Sequence, residues 1–209
     1  MFIKICGIRT LEDALASQSA GADAIGFNLW PHSKRFISLE DARPILAQLK
    51  SKIELIAVMV NPEEAEVRRA LEIFDTVQLH GNEPADFCRL FGARAMKAIR
   101  MHDAASLMML QRYEGDRILI DADSSSFGGS GRIADWRLSD KAARLRKVIL
   151  AGGLMPENVA QAIAAVKPFG VDVASGVESS AGVKDHHKIA DFVVRARQAA
   201  TQLPPEATK

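Results

Sequence analysis

Short apolar runs alternate with amphipathic stretches along the whole chain, and this alternation defines its predicted elements. Apolar runs bounded by turn residues predict buried strands, and amphipathic stretches predict helices. The strands are predicted over 2–6, 23–27, 54–59, 76–79, 95–99, 117–120, 147–150 and 171–173. The helices are predicted over 11–19, 39–49, 62–72, 84–91, 103–112, 136–143, 156–165 and 187–201.

These elements form eight successive strand–helix units at a spacing of about 25 residues. Regular alternation of strands and helices indicates a parallel sheet with helices outside it. Eight units favour closure into a single-domain α/β structure, a (β/α)8 TIM barrel, over an open doubly wound sheet. The 209 residues lie near the lower end for that fold. We expect the barrel to occupy 1–203 and a frayed tail to occupy 204–209.

Local signals mark the starts of several helices. Thr10 and Ser38 each stand three residues before an aspartate, as in a capping box with Asp in place of Glu. Asn61 followed by Pro62 predicts an N-cap and a proline at the first helical position. Pro156 is likewise predicted to begin a helix.

Composition narrows the functional class. The 27 basic and 26 acidic residues nearly cancel and form no block of like charge, so we expect no nucleic-acid partner and no membrane partner. No apolar stretch approaches the roughly 20 residues of a membrane helix, and the apolar N-terminus is too short for a signal peptide. Cys6 and Cys88 lack CxxC or zinc-ligand spacing, so we expect no metal and no disulfide. A cytoplasmic enzyme without a cofactor is the expectation.

Two reactive side chains stand where predicted strands end. Cys6 closes the first strand, and Asp121 is the first polar residue after the sixth. A barrel exposes its reactive groups at the carboxyl ends of its strands, so both are expected at the barrel mouth. The alternatives are a small buried hydrophobe for Cys6, as we expect for Cys88, and a helix cap or loop carboxylate for Asp121. The loop over 121–131, rich in serine and glycine, is a candidate mobile lid.

Small residues follow the last two predicted strands. Gly152 and Gly153 stand between a strand and a helix, and Ser175 and Gly176 follow the eighth strand. Paired glycines let a phosphate approach the backbone and the positive end of a helix. Loops after strands seven and eight are where such barrels often bind phosphate. Tight turns alone would explain either pair but explain both poorly, so these four residues form the predicted phosphate site.

Two further side chains are candidates for substrate contact. Arg35 lies in a loop after the second strand, and its guanidinium matches a planar carboxylate bidentately. The alternative for Arg35 is a solvated loop charge. His80 ends the fourth strand, where it either contacts substrate or is a hydrogen-bonded structural histidine.

These residues lie in segments that resemble the phosphoribosylanthranilate isomerase family over nearly the whole chain. The matching segments are 4–8, 21–27, 33–38, 77–83, 119–121, 128–131, 135–136, 151–154, 156–159, 171–173, 175–178 and 182–185. Each segment is weak alone, but together, in this order and spacing, they are highly specific. The resemblance implies a (β/α)8 barrel of the ribulose-phosphate-binding type.

The resemblance also implies an Amadori rearrangement of N-(5-phosphoribosyl)anthranilate in tryptophan biosynthesis. It implies Asp121 as the general acid that protonates the furanose ring oxygen and Cys6 as the general base that removes the C2 proton. It places Arg35 at the anthranilate carboxylate, His80 and Asp172 in the substrate site, and the four small residues in the phosphate loops. The implied partner is this small phosphosugar–anthranilate. We expect a monomer, with a homodimer as the alternative.

Three residues depart from the family pattern. Met59 stands in place of an aromatic residue and is expected to alter packing beside the anthranilate ring. Ala174 replaces a serine near the phosphate, and Met155 replaces a residue that is usually polar. None of the three removes a catalytic group, so we expect them to affect affinity more than activity.

Other barrels remain as alternatives. An indole-glycerol-phosphate synthase would need a catalytic lysine and glutamate at the barrel mouth and an N-terminal extension, whereas this sequence begins at the first strand. A pentose-phosphate epimerase would need histidine and aspartate metal ligands at several strand ends, and the sequence does not supply such a set. A phosphate-binding or regulatory barrel without activity is disfavoured because both Cys6 and Asp121 are present.

Overall fold

Strands and helices alternate along the chain in a computed structural model that describes residues 1–49, 53–122 and 136–203. The barrel strands are β1 (Phe2–Cys6), β2 (Ala24–Asn28), β3 (Glu54–Met59), β4 (Thr76–Leu79), β5 (Ala95–Met101), β6 (Ile118–Ala122), β7 (Val148–Leu150) and β8 (Gly170–Val173). The helices are α1 (Leu11–Ser19), α2 (Leu39–Leu46), α3 (Glu64–Ala70), α4 (Ala85–Arg89), α5 (Ala104–Leu110), α6 (Trp136–Leu145), α7 (Val159–Val166) and α8 (His186–Thr201). A short antiparallel hairpin of β9 (Glu178–Ser180) and β10 (Val183–Lys184) lies between β8 and α8.

The eight barrel strands close on themselves in chain order. Each strand pairs in parallel with the next, and β8 pairs back with β1 so that Asp172 stands beside Lys4. Because side chains alternate between the two faces of a strand, residues two apart on one strand point to the same side of the barrel wall. The predicted (β/α)8 barrel is confirmed, and its closure brings the ends of the first and eighth strands together.

Apolar side chains fill both sides of the barrel wall. A small cluster lies on the inner side, formed by Ala24, Ile56, Met96, Ala98, Leu119, Ile149 and Ala151. A larger cluster, which includes Ile5, Phe27 and Phe192, packs between the strands and the helices. Burying one large apolar side chain stabilises a fold by about 1.5–3 kcal/mol, so these clusters hold the strand ends in fixed positions. No helix in the described part of the chain is long and apolar enough to cross a membrane.

Two of the predicted helix starts are confirmed. Thr10 and Ser38 cap α1 and α2, and each side-chain oxygen accepts the backbone N–H of the residue three positions on, at 3.1 and 3.0 Å. The prediction that Asn61 is an N-cap is wrong, because α3 begins only at Glu64. Asn61 adopts a φ of +48°, and its Oδ1 accepts the N–H of Asn82 at 2.7 Å. Its side chain therefore joins the loops after β3 and β4.

The predicted start of α7 at Pro156 is also wrong. The helix begins at Val159, because the side chain of Asn158 holds the preceding residues in a turn. The Asn158 side chain accepts the N–H of Met155 and donates to the carbonyl oxygen of Gly153, both at 2.9 Å. The glycine pair after β7 is thus fixed by a side chain from the start of the next helix.

The hairpin of β9 and β10 was missed by the sequence analysis. Its strands have only three and two residues and lack the alternation of apolar and polar positions that predicts a strand. It nevertheless places two charged side chains, Glu178 and Lys184, in buried positions. The predicted lid residues 123–131 and the predicted frayed tail 204–209 lie outside the described residues.

Candidate active site

A cavity of about 670 Å³ opens at the carboxyl ends of the barrel strands. A cavity of this size suits a small-molecule ligand, for which sites of roughly 300–1,000 Å³ are usual. Eight of the nine predicted site residues line it: Cys6, Arg35, His80, Asp121, Gly152, Gly153, Asp172 and Ser175. The ninth, Gly176, stands behind the wall, where a Cβ would overlap the carbonyl oxygen of Leu154. Barrel closure therefore brings the predicted residues together at one site.

Cys6 lies at the end of β1, buried except where it lines the cavity. Its Sγ and the Nζ of Lys4, two residues earlier on the same face, each lie 3.0 Å from the place where a Cβ on Gly26 would be. Burial raises the pKa of the Cys6 thiol, and so does the charge of Asp172, whereas Lys4 and Lys184 lower it. The net direction is upward. A neutral thiol is therefore the resting form at neutral pH.

Lys4 is fully buried inside the barrel and carries its charge there. Its Nζ lies 2.9 Å from Oδ1 of Asp172, which stands beside it on β8. Burial lowers the pKa of Lys4, but Asp172 and Cys6 raise it by more, so the net pKa lies above the ordinary value. A buried ammonium requires a partner of opposite charge, and Asp172 supplies it.

Asp121 reaches the cavity from β6 and faces His80 at the end of β4. Oδ2 of Asp121 lies 3.3 Å from Nε2 of His80, and both side chains are about nine-tenths buried. The other ring nitrogen, Nδ1, lies 2.9 Å from the amide nitrogen of Gln78. An amide nitrogen only donates, so a neutral His80 accepts at Nδ1 and carries its hydrogen on Nε2, on the side of Asp121.

The guanidinium of Arg35 is held by a carboxylate of the hairpin. Nε and Nη2 of Arg35 donate to the two oxygens of Glu178 at 2.6 and 2.8 Å. Glu178 also lies 3.2 Å from Nζ of Lys184, which donates to the carbonyl oxygen of Ala174 at 2.8 Å. Only 13% of the Arg35 side chain is exposed, so the alternative of a solvated loop charge is wrong. Arg35 lines the cavity with its orientation fixed.

The charges of Arg35, Glu178 and Lys184 stabilise one another. Burial raises the pKa of the Glu178 carboxyl, but the hydrogen bonds and charges of Arg35 and Lys184 lower it more, and the net pKa falls below the usual range. The hydrogen bonds to Glu178 raise the pKa of Arg35 in turn. Glu178 is therefore ionised at neutral pH, and Arg35 keeps its charge beside the cavity.

The loops after β7 and β8 form the glycine-rich wall of the cavity. Gly152 and Gly153 have φ of +94° and +66°, a left-handed conformation that favours glycine at both positions. Ser175 begins a short 3-10 turn directly after β8 and lines the same wall. Since only glycine fits against the backbone of Leu154, Gly176 lets the two loops pack together. The two loops therefore form one wall of the cavity, and phosphate binding by this wall stays a prediction.

Comparison with known proteins identifies the family. A profile described as N-(5'-phosphoribosyl)anthranilate (PRA) isomerase matches residues 3–195. A relative named N-(5'-phosphoribosyl)anthranilate isomerase, from Citrifermentans bemidjiense, is 44% identical over 201 residues, which are 95% of this chain and 98% of that protein. The chain belongs to the phosphoribosylanthranilate isomerase family. It is therefore an isomerase, and the resemblance of its segments is confirmed.

Solved isomerase structures agree with this assignment over nearly the full chain. The crystal structure of phosphoribosyl anthranilate isomerase from Thermotoga maritima is 42% identical, with a TM-score of 0.89, and the match covers 95% of this chain and 99% of that one. A further isomerase structure, in complex with reduced 1-(o-carboxyphenylamino)-1-deoxyribulose 5-phosphate, is 40% identical with a TM-score of 0.85 and the same coverage. The barrel seen here is the fold of these isomerases.

One expectation drawn from the isomerase family pattern is wrong. Met59 faces the core between the barrel and the helices, whereas its neighbours Val58 and Val60 line the cavity. Alternation along β3 explains the difference, because residues 58 and 60 share a face that Met59 does not. Met59 is therefore not beside the cavity. Of the other two departures, Ala174 lines the cavity, and Met155 donates its backbone N–H to the side chain of Asn158 at the start of α7.

Sequence reasoning missed one charged residue that lines the cavity, Glu178, and two buried lysines that pair with cavity residues, Lys4 and Lys184. A signal existed for Lys4, because it shares the inward face of β1 with Cys6 and a lysine inside a buried strand needs a partner. No local signal marks Glu178 or Lys184, whose positions depend on the hairpin. Within the described ranges, no group of three histidine, cysteine, aspartate or glutamate side chains is placed to hold a metal ion.

Proposed function

We propose that this isomerase converts N-(5'-phosphoribosyl)anthranilate to 1-(2-carboxyphenylamino)-1-deoxyribulose 5-phosphate by an Amadori rearrangement in tryptophan biosynthesis. One observation carries the proposal. Two groups that can transfer protons enter one cavity from different strands, Cys6 from β1 and Asp121 from β6. A sugar held between them meets a base on one side and an acid on the other. The reduced compound bound by a 40% identical relative has the skeleton of this product.

In the first step Asp121 acts as the general acid. It gives its proton to the furanose ring oxygen, the bond between that oxygen and C1 breaks, and the nitrogen lone pair forms the C1=N bond of a protonated Schiff base. The resulting Asp121 carboxylate faces the Nε2 side of His80, 3.3 Å away. An N–H at that nitrogen stabilises the charge left by proton transfer. A positioned acid contributes about 10²–10⁴-fold to a rate.

In the second step Cys6 acts as the general base. Its thiolate takes the C2 proton, the C–H electron pair forms a C1=C2 bond, and the C=N pair returns to nitrogen. The product of this step is an enolamine, which becomes the ketone when C1 gains a proton and the C2 hydroxyl loses one. Because burial raises the pKa of the resting thiol, its proton must leave before this step. A raised pKa also makes the thiolate a stronger base once it has formed.

The remaining predicted residues bind the substrate. Guanidinium N–H groups of Arg35 beyond the two that Glu178 accepts would bind the anthranilate carboxylate. Backbone N–H groups of the loops at 152–153 and 175–176 would bind the phosphate, as loops after strands seven and eight do in such barrels. Asp172 also lines the cavity and would accept a hydrogen bond from a sugar hydroxyl.

The proposal includes the setting in which the enzyme works. We expect the small phosphosugar–anthranilate as its partner, a cytoplasmic location and no cofactor. A monomer is the expected assembly. A homodimer is the alternative, since a 40% identical relative from Thermotoga maritima is described as a dimeric isomerase. Light scattering on the purified full chain distinguishes the two states.

The test is a fluorescence time course. The substrate is generated in situ, and loss of its anthranilate signal is followed after the protein is added. Rapid decay with the unmodified chain, and decay at least about a hundredfold slower with Cys6→Ser, would support both the reaction and its base. If the signal decays no faster with protein than without it, the proposed reaction is wrong, and an inactive phosphate-binding barrel takes its place. Normal turnover by Cys6→Ser would refute the base assignment alone.

A further inference from the structure

Two buried ion pairs act on the Cys6 thiol. One joins Lys4 to Asp172 inside the barrel, and the other joins Lys184 to Glu178, which also binds Arg35. The charges of Lys4, Lys184, Asp172 and Arg35 interact with Cys6. Together with Glu178, which pairs with two of the cations, they carry a net charge of one positive unit when the thiol is neutral. Ionisation of Cys6 would bring this cluster to neutrality. The described charges around the thiol thus favour an anion at the sulfur.

Lys4 is the cation best placed to act on the sulfur. Its Nζ and the Cys6 Sγ each lie 3.0 Å from the place of a Cβ on Gly26, so the two atoms are no more than about 6 Å apart. An opposite charge within roughly 4–6 Å shifts a pKa by about 1–3 units. The Lys4 side chain is fully shielded from water, so solvent does not weaken its attraction for a thiolate.

Gly26 on β2 makes this arrangement feasible. A side chain at this position would stand within 3.0–3.1 Å of Sγ, Nζ and Cε of the two β1 residues. The register pairs Gly26 with Cys6, so the missing side chain opens space directly beside the sulfur. The space that holds both the thiol and the ammonium is therefore left open by one glycine, and Asp172 binds the ammonium there at 2.9 Å.

We propose that Lys4 is a positioning residue for the isomerase: it holds the Cys6 sulfur against Gly26 and stabilises the thiolate that takes the C2 proton. Asp172 keeps the Lys4 ammonium charged and in place. When the thiolate accepts the C2 proton of the bound substrate, the cluster regains its net positive charge, beside the anionic groups of that substrate. Lys4 acts through Cys6 and is not among the residues that line the cavity. The inference rests on the proposed role of Cys6 as the base.

The pKa of Cys6 tests the inference without any substrate. Cys88→Ala serves as the background, since the chain has two cysteines and Cys6 is then the only thiol. The rate of alkylation by iodoacetamide is measured against pH in this background, with and without Lys4→Gln. Glutamine removes the charge but keeps a hydrogen-bond donor for Asp172. We expect the pKa of Cys6 to rise by about one unit or more in Lys4→Gln.

The pH profile of kcat/KM gives a second readout, which a merely structural role would not move. Its acid-side limb should shift to higher pH in Lys4→Gln by the same amount as the thiol pKa. Should Lys4→Gln fail to fold, Lys4→Met/Asp172→Asn removes both charges of this pair and leaves neither partner buried alone. The thiol pKa is again expected to rise, by a smaller amount, because the variant also removes the raising effect of Asp172.

The matched control is Lys97→Met/Glu83→Gln, which removes another buried lysine–carboxylate pair with the same 2.9 Å separation. Cys6 should keep its pKa in this control. An unchanged pKa of Cys6 in both Lys4 variants would overturn the inference, as would an equal shift in the control. Failure of the proposed reaction shows instead as absent turnover by the unmodified chain, while the alkylation data still report on Lys4.

Discussion

Two buried lysine–carboxylate pairs in this barrel have the same separation and different surroundings. Lys4–Asp172 and Lys97–Glu83 both measure 2.9 Å, and all four side chains are shielded from solvent. The second pair is enclosed by backbone. The ammonium of Lys97 also donates to the carbonyl oxygens of Leu79, Gly81 and Ala98, and the Glu83 carboxylate accepts the N–H groups of Asn61 and Gly81.

The Lys4–Asp172 pair instead lies beside the Cys6 thiol and the cavity. Lys4 contacts a carboxylate on one side and a thiol on the other, and Asp172 lines the cavity. Burial lowers the pKa of both lysines, but charged neighbours raise that of Lys4 to a net increase, whereas that of Lys97 stays below its ordinary value. The two pairs have the same length, so the structural role of Lys97–Glu83 and the role proposed for Lys4–Asp172 differ because of the other partners of each pair.

The largest expected effect is a loss of kcat when Asp121, the proposed acid in the cavity, is replaced. Asp121→Asn removes the acid and keeps the shape, so kcat should fall by about 10²–10⁴-fold. Binding of the reduced product analogue should remain within a few-fold, because the carboxylate makes its contribution during proton transfer. Titration calorimetry and the fluorescence assay measure the two quantities. Equal losses in affinity and in kcat would contradict the acid role.

Loss of the Lys97–Glu83 pair should lower stability rather than the rate of the reaction. Lys97→Met leaves the Glu83 carboxylate buried without its cation, which should lower the free energy of unfolding by about 3–5 kcal/mol. Lys97→Met/Glu83→Gln should recover part of this loss, since no charge stays buried without a partner. Urea unfolding measures both variants. A loss below about 1 kcal/mol in the single variant would show that this pair is not the structural one.

The sequence predicts the residues of this site that follow a local pattern and misses the pairs that form between distant positions. Cys6, Asp121 and the glycine pairs could be predicted because each stands at the end of an apolar run, and strand ends meet at one edge of a closed barrel. The bond between Lys4 and Asp172 spans 168 positions, and that between Arg35 and Glu178 spans 143. Local patterns carry no information on such pairings. The late start of α7 was missed for a related reason, because Asn158 bonds backward to a loop rather than capping its own helix.

Arg35 combines both kinds of role. Its ion pair with Glu178 fixes the Arg35 side chain, and Arg35 is proposed to bind the substrate. Arg35→Ala should raise KM by about 10–100-fold, since charge-assisted hydrogen bonds contribute about 1.5–3 kcal/mol. The value of kcat should change little, because the anthranilate carboxylate lies away from the bonds that change. Steady-state kinetics separate the two parameters. Glu178→Gln keeps an acceptor for Arg35 and should raise KM by less, and an unchanged KM in Arg35→Ala would remove that residue from the site.

The pH dependence of the reaction tests how the Lys4–Asp172 pair and its charged neighbours act on Cys6. Burial raises the pKa of Cys6 against the lowering effect of Lys4 and Lys184, while Asp172 raises it and Arg35 stands within charge range. The protonated thiol is inactive as a base, so kcat/KM should increase by about tenfold per pH unit on the acid side and level off only above the pKa of Cys6. A profile that is flat from neutral pH upward would show that the thiol ionises far more readily than its burial implies.

The smallest effect is expected where the loop after β7 meets its helix. Asn158→Ala removes the bonds to Met155 and Gly153, each worth about 0.5–1.5 kcal/mol, and should lower the free energy of unfolding by about 1–2 kcal/mol. Thr10→Ala is the matched control, because it removes a cap of α1 at a cost of about 1 kcal/mol and Thr10 lies outside the cavity wall. Both variants should unfold at lower urea. Only Asn158→Ala should also raise KM, by a few-fold, because the glycine pair it orders forms the proposed phosphate site. Equal KM values in the two variants would mean that the loop keeps its shape without Asn158, and that the left-handed glycines alone define the phosphate wall.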